Sequence, residues 1–569
     1  VTTSLNNTEG RIYMATAKSK KSNTANTNFE ETLWDTANKL RGSVESSEYK
    51  HVVLSLIFLK FISDKFEDKR QALIDGGMGD FVDQVEFYMQ DNVFYLPEEA
   101  RWSFIKKNMK QDDIAVKIDT ALHTVEKNNP SLKGALPENY FSRLGLVTSK
   151  LASLIDTINN IDTAASECEM TEEDLVGRVY EYFLGKFASS EGKGGGEFYT
   201  PKSVVALIAE MIEPYKGKIY DPCCGSGGMF VQSLKFIDSH KGNRKDISIY
   251  GQEYTNTTYK LAKMNLAVRG ISGNLGEVAG DSFFKDQHPD LKADFIMANP
   301  PFNQKQWRSD SELVDDGRWA GFDVPPTGNA NYAWIMHMIS KLSENGTAGF
   351  VLANGSMSSN TGGEGAIRQK IIEQDLVDCM IALPGQLFYT TQIPVCLWFI
   401  TKNKKGSAGY DVQGGTNVAG AGRTGVTRNR QGETLFIDAR EIGSMISRTN
   451  KELTSNDIAD IAATYHNWKT GEWNNENAEQ DSSSVERGHG ARSDQSGFCK
   501  SATLDEIKAN DFVLTPGRYV GAAEIEDDGI PFEVKMKALS QTLYSQMEQA
   551  EKLDKAIRQN LEVLGYGEK

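Results

Sequence analysis

None of the six cysteines (Cys168, Cys223, Cys224, Cys379, Cys396, Cys499) stands in a Cys-x-x-Cys pair. That absence argues against zinc ribbons and a disulfide framework and fits a reducing, cytoplasmic setting; no metal site is expected. No glycine loop is followed by Gly-Lys-Ser or Gly-Lys-Thr, which argues against a phosphate-gripping ATPase and leaves the chain without a motor motif. Long apolar runs are also missing. The most apolar stretch, 51–62, is interrupted by Lys60 and is too short to span a bilayer, so it predicts a buried helix and no membrane association. No secretory signal opens the chain, residues 1–28 read as disordered, and Met14 is a candidate natural start. Positive charge is in deficit: 62 Lys and Arg against 78 Asp and Glu give a net charge of −16. Most of such a surface repels a polyphosphate, so action on nucleic acid would need a partner to supply much of the grip.

The 569 residues suffice for two or three domains. From 29 to about 165 the apolar residues recur at helical spacing, as Phe29, Leu33, Ala37 and Leu40 do, and this predicts an all-helical N-terminal domain. A further amphipathic helix is expected over 172–187. After Pro201 strands and helices alternate. Candidate strands are 218–220, 247–252, 294–298, 348–352, 378–382, 395–401 and 434–437. With crossover helices between them they predict an α/β domain over 166–450, a doubly wound, mainly parallel sheet. The Gly-rich segment 406–433 reads as a loop between two strands, and 451–530 as a linker with a small C-terminal region. In the tail, 531–569, Met536, Leu543, Ala550, Ile557 and Leu564 recur every seven residues, with Leu539, Met547, Leu553 and Leu561 interleaved. Such a seam predicts a helix offered to a partner subunit, or else packed on its own domain.

Two short motifs carry the chemistry. Asp221-Pro222-Cys223-Cys224-Gly225-Ser226-Gly227-Gly228 lies between a strand and a helix. Its glycines allow a tight turn and close backbone approach, and the helix N-terminus adds partial positive charge. Glu253 ends the next strand, where an acidic residue can bind ribose hydroxyls. Asp281, in Gly-Asp-Ser-Phe-Phe, either accepts from a cofactor adenine amine or caps a turn. The second motif is Asn299-Pro300-Pro301-Phe302, at the end of the 294–298 strand. Adenine N6 is a poor nucleophile because its lone pair is delocalised into the ring. The Asn299 side-chain oxygen and the Pro300 carbonyl can accept its hydrogens and return density to nitrogen. The prolines stiffen the corner, and Phe302 can stack on an extruded base. Phe198, Tyr199 and Thr200, behind a run of glycines, either close over a cofactor or form a packed corner. His337 reads as a core histidine. Cys223 and Cys224 sit in the cofactor turn and not at the substrate corner, which disfavours a cysteine nucleophile.

The order of these segments, Glu-Phe-Tyr-Thr-Pro at 197–201, the glycine turn, Tyr-Gly-Gln-Glu at 250–253, Gly-Asp-Ser-Phe at 280–283 and Asn-Pro-Pro-Phe, resembles the modification (methyltransferase) subunits of Type I restriction-modification systems, in the gamma class of adenine methyltransferases. VLANGSMS, ALPGQLFYTTQIPVCLWF and FVLTPGRYVG extend the likeness toward the C-terminus. The resemblance implies a Rossmann-like class I methyltransferase sheet with an all-helical N-terminal domain and a helical C-terminal tail. It implies S-adenosyl-L-methionine as cofactor, lined by Phe198, Tyr199, Thr200, Asp221, Gly225, Ser226, Gly227, Gly228, Glu253 and Asp281, and adenine in duplex DNA as substrate, held by Asn299, Pro300, Pro301 and Phe302. It also implies a specificity subunit gripped by two such chains, and in some systems a restriction and translocation subunit. From Lys451 to the end the chain carries 13 Lys and Arg against 22 Asp and Glu, a poor surface for reading a DNA groove. The Gly-rich insert departs from the family pattern; its arginines at 423, 428 and 430 either touch DNA or serve no function. The competing readings are a methyltransferase acting on rRNA or a protein glutamine amide, and a non-catalytic scaffold of a nuclease assembly.

Overall fold

The computed structural model describes residues 46–91, 93–160, 200–388, 392–406, 427–473, 490–522 and 532–563, with positions 34, 35, 38 and 182. It divides into two units, Val1–Gly521 and Ala522–Lys569.

The first unit begins with helices. The apolar stretch around 51–62 lies inside α1 (Ser46–Asp75), where Val52, Leu56, Phe58, Leu59 and Phe66 are buried. It packs with α2 (Ile114–Asn128) and α3 (Thr148–Asn159), whose inward faces carry Ile118, Leu122 and Val125, and Leu151, Leu154 and Ile158. This helix pattern is the expected one, a buried stripe every three or four residues.

Nine strands of the described residues then form one sheet. They are β1 (Gly217–Asp221), β2 (Ile247–Gly251), β3 (Gly273–Asn274), β4 (Ala293–Ala298), β5 (Leu342–Ala353), β6 (Val377–Ala382), β7 (Val395–Thr401), β8 (Glu433–Asp438) and β11 (Cys499–Thr503), while β9 (Ser444–Met445) and β10 (Lys451–Glu452) make a separate two-stranded ribbon. The order is β11-β8-β6-β7-β5-β4-β1-β2-β3. Pairing is parallel from β3 through β5 and between β6 and β8. It is antiparallel where β7 enters between β5 and β6, and at the β11 edge. Among the described residues of the connection 383–394 none is helical, and β7 returns beside β6 in the opposite sense.

Strand alternation explains why the sheet is covered on both faces. In β7, Val395, Leu397 and Phe399 join one core, Cys396, Trp398 and Ile400 the other. On the first face lie α4 (Lys202–Ile212), α5 (Gly228–Ser239), α6 (Asn256–Val268) and α9 (Ser455–Thr470); on the second lie α7 (Asn331–Lys341) and α8 (Glu364–Glu373). A strand buried on both faces reads as a continuous apolar run, and β7 is one. Truncating Trp398, fully buried, to alanine would cost ~3–5 kcal/mol.

Two expectations differ from the fold. Residues after 451 do not leave the sheet as a linker: α9 packs Ile461, Tyr465 and Trp468 under it, and β11 adds a strand to β8. The strand was missed because only Cys499 and Ala502 of β11 are buried, as suits an edge. The insert does run between β7 and β8, but Arg428 and Arg430 are spent inside the protein. Arg430 pairs with buried Asp378, which also accepts from the Tyr465 hydroxyl at 2.6 Å, and Arg428 pairs with Glu433 at 2.7 Å. Most of the insert, with Arg423, and the expected helix over 172–187 lie outside the described residues, apart from position 182.

The second unit contains α10 (Phe532–Val563). Met536, Leu539, Leu543, Met547, Leu553 and Ile557, the expected seam, are exposed.

Candidate active site

The strand order reverses beside β1, which has β2 on one side and β4 on the other. Ligands of doubly wound sheets bind outside the carboxyl ends of strands at such a point. Both sequence motifs are there. Asp221 ends β1, Glu253 follows β2, and Asn299 follows β4, with β1 and β4 in register through Ile219–Phe295 and Tyr220–Ile296.

The glycine turn is held by its own polar groups. Gly225 and Gly227 have φ of 53° and 82°, a left-handed conformation that favours glycine. A side chain at Gly225 or Gly228 would meet nothing within 4 Å, so open space adjoins the turn. The Gln252 N–H donates to the Asp221 carbonyl at 3.0 Å and the Cys224 N–H to the Gln252 carbonyl at 2.9 Å. Glu253 accepts from the Gly225 N–H at 3.1 Å and from the Thr255 N–H at 2.8 Å. Asn265 of α6 donates to the Ser226 carbonyl at 2.7 Å. The Asp221 carboxylate accepts from the Cys223 N–H at 3.0 Å and is 1% exposed. Burial, reinforced by the Glu253 charge and opposed by the Cys223 donor, pushes its pKa up to about 7. Burial, with the Asp221 and Glu253 charges, also raises both Cys223 and Cys224 well above the usual thiol range. Neither is a ready nucleophile.

Asp281 caps its own turn, its Oδ1 accepting from the Phe283 N–H at 2.7 Å and the Phe284 N–H at 3.3 Å. That turn is docked onto the glycine turn. Ser282 donates to the Pro222 carbonyl at 2.5 Å, and fully buried Gln252 donates to the Gly280 and Lys285 carbonyls at 3.0 and 2.7 Å. Sequence reasoning named the Asp and missed these two ties, because a polar residue at a strand end carries no periodic signal.

The Asn299 corner is built differently. Asn299 donates from Nδ2 to the Thr200 hydroxyl at 2.9 Å, while its Oδ1 is buried with no hydrogen-bond partner. Buried acceptors without partners are rare and expensive. Phe302 is half-buried and meets Phe388 edge-on, with centroids 5.9 Å apart. The turn beyond it is clasped to the start of α7. Asn331, 1% exposed, accepts from the Asn303 N–H at 3.0 Å and donates to the Asn303 side-chain oxygen at 2.9 Å. Arg318, from the loop after the corner, donates to the carbonyls of Ser282 and Phe283 at 2.9 and 2.6 Å, so the corner loop is tied to the Asp281 turn.

Of the expected site residues, Thr200, Asp221, Gly225, Ser226, Gly227, Gly228, Glu253, Asp281, Asn299, Pro300, Pro301 and Phe302 lie on the segments so joined; Phe198 and Tyr199 lie outside the described residues. Phe388, Asn331 and Arg318 were not foreseen. His337 is a buried core residue between the Tyr220 hydroxyl (3.1 Å) and Arg318 (3.2 Å). Burial and the neighbouring Arg318 and Lys341 charges lower its pKa to about 3, so it stays neutral. A cavity of about 470 Å³, lined by Phe61, Phe94, Ile247 and Ser272 among others, lies at the amino ends of β2 and β3, away from these motifs. Among the described residues no cluster could hold a metal ion, and no helix is long and apolar enough to cross a membrane.

Comparison with known proteins adds independent findings. A family model described as N-6 DNA Methylase matches residues 171–528, and one described as HsdM N-terminal domain matches residues 29–161. The Type I restriction enzyme HindI methylase subunit of Haemophilus influenzae is 46% identical over 488 residues, covering 83% of this chain and all of that one. The MjaIX methylase subunit of Methanocaldococcus jannaschii is 38% identical over 557 residues, covering 95% of this chain and 92% of that one. Among solved structures, the Type I restriction-modification methyltransferase subunit from Streptococcus thermophilus shares the fold with a TM-score of 0.66 at 21% identity, covering 87% of this chain and 99% of that one.

Proposed function

The chain belongs to the methylase subunits of Type I restriction enzymes, in the N-6 DNA methylase family, and from that premise we propose how its residues divide the work of methylating adenine N6 in DNA. The methyl donor of this chemistry is S-adenosylmethionine, which supplies an electrophilic methyl group on a sulfonium.

The residues present fit such a donor. Open space adjoins Gly225 and Gly228, the turn precedes a helix N-terminus, and Asp221 and Glu253 bring carboxyl groups to a ligand that carries cationic groups and ribose hydroxyls. In our reading Asp221, Gly225, Ser226, Gly227, Gly228, Glu253 and Asp281 bind the donor, together with Phe198, Tyr199 and the main chain of Thr200. Asn299 and Pro300 then accept the two hydrogens of the adenine amine, which localises the lone pair on nitrogen for in-line attack. Pro301 holds the corner rigid, and Phe302, backed by Phe388, stacks on the extruded base. No strong base is required, because the amine becomes acidic as it acquires the methyl group.

The observation that carries this reading is the Asn299 amide, whose nitrogen is engaged and whose buried oxygen lacks a donor. A ligand amine would supply the missing donor.

Membership of a Type I assembly implies a specificity subunit and DNA as partners. Beyond that, we propose two copies of this chain per specificity subunit, joined through the exposed α10 seam, in a cytoplasmic complex able to accept a restriction subunit. The acidic balance of the C-terminal region supports leaving sequence readout to the partner. The test is methyl transfer to duplex DNA by the purified chain with and without the specificity subunit. Transfer only in its presence is expected. Equal transfer by the chain alone would overturn the division of labour, and donor binding without DNA methylation in either case would overturn the assigned substrate.

A further inference from the structure

An asparagine amide is two-faced: one end accepts, the other donates. If Nδ2 of Asn299 faced the adenine amine, two donors would meet and the base would be repelled. Something must therefore set which way the amide points, and backbone geometry alone does not, since the two orientations differ by a half-turn of a soft torsion.

The group in contact is Thr200, whose hydroxyl oxygen takes the Nδ2 hydrogen at 2.9 Å. Thr200 is itself well anchored. It immediately precedes Pro201, which restricts its backbone to extended conformations. The Pro201 carbonyl accepts from the N–H groups of Val204 and Val205 at 3.0 and 3.1 Å as α4 begins. That helix buries Val204, Leu207, Ile208 and Met211 in the core beneath the sheet. The hydroxyl is thus carried by the start of a packed helix, ninety-nine positions from the asparagine it meets.

We infer that Thr200 is a positioning residue for the base-binding corner: its hydroxyl holds the Asn299 amide, and with Nδ2 bonded to it Oδ1 is the end left for the incoming amine. This goes beyond a role in donor binding and rests on the reading of Asn299 as the base-binding group.

The test uses the complex reconstituted with its specificity subunit and measures single-turnover methyl transfer and S-adenosylmethionine affinity separately. Thr200→Val, nearly isosteric but without the hydroxyl, is expected to slow transfer ~10–100-fold with donor affinity within about threefold of the parent, because one orienting bond to a reacting group is lost. Thr200→Ser, which keeps the hydroxyl, is expected to stay within about threefold of the parent rate. In an Asn299→Asp background both side-chain ends accept, so the orientation problem vanishes and adding Thr200→Val is expected to cost little. The inference is overturned if Thr200→Val transfers methyl at the parent rate, if donor affinity falls in proportion to rate, or if Thr200→Ser is as slow as Thr200→Val. Should Asn299→Asp lack measurable transfer, these three comparisons decide alone. Retained activity in Asn299→Ala would instead remove the reading of the corner itself, a result independent of the Thr200 variants.

Discussion

The glycine turn and the Asn299 corner sit on adjacent strands yet are finished in opposite ways. In the turn, the N–H groups of Cys223, Cys224 and Gly225 all have partners, and Glu253 accepts two bonds before any ligand arrives. Around the corner, side-chain oxygens of Asn299 and Gln304, and of Asn354 at the end of β5, are buried without partners. On the reading proposed above, a donor site that is already satisfied can hold its shape through every catalytic cycle. On the same reading, a base-binding corner with unmet acceptors gives up stability in the free protein and recovers it when the base enters.

That contrast can be broken most severely at Asn299. Asn299→Ala should lower methyl transfer by about a thousandfold or more, since the acceptor acting on the reacting nitrogen is gone, while calorimetry should find donor affinity nearly unchanged. The complementary change is Glu253→Ala, which frees the Gly225 and Thr255 N–H groups. Loss of charge-assisted bonds worth ~1.5–3 kcal/mol should weaken donor binding ~10–100-fold by the same calorimetric measurement.

A smaller effect is expected from Asn331→Ala, which opens the clasp behind the corner. Steady-state kinetics should show a kcat about tenfold lower, because misplacement of a reacting group slows catalysis, with unchanged donor affinity and a Tm lowered by a few degrees. The smallest effect is a pH dependence. A bound cationic donor favours the Asp221 carboxylate, so binding below pH 7 must expel its proton. Affinity should therefore rise up to about tenfold per pH unit toward pH 7 and level off above it. Asp221→Asn should flatten the profile. In the free protein the sign is reversed. The folded carboxyl keeps its proton to about pH 7 while the unfolded one loses it near 3.8, so Asp221 costs stability increasingly between those values and a constant amount above them.

Much of this was legible before the fold was known. Strands buried on both faces declare themselves as apolar runs, and β1, β2, β4, β6, β7 and β8 fall within a residue of their expected positions. β5 begins six residues earlier than expected, directly after α7, where Ser343, Glu344 and Asn345 hide the strand in polar sequence. The edge strand β11 and the two-residue β3 escaped because neither carries enough buried positions to make a pattern. Arg430 was misjudged for a related reason: an arginine in a Gly-rich stretch reads as exposed until its buried partner Asp378 is known.

What the sequence determined by itself was the identity and order of the chemical groups: a glycine turn, an acidic residue closing the next strand, an Asn-Pro-Pro-Phe corner and a seam at the end of the chain. These are local, and local sequence suffices for a turn, a cap or a repeat. Only the tertiary structure decided which of those groups are satisfied and which are left open. Thr200 meets Asn299, Arg318 meets the Ser282 carbonyl and Asn331 meets Asn303 because sheet order and helix packing bring distant segments together. Hydrogen-bond satisfaction is a property of neighbours in space, and no spacing along a chain records it.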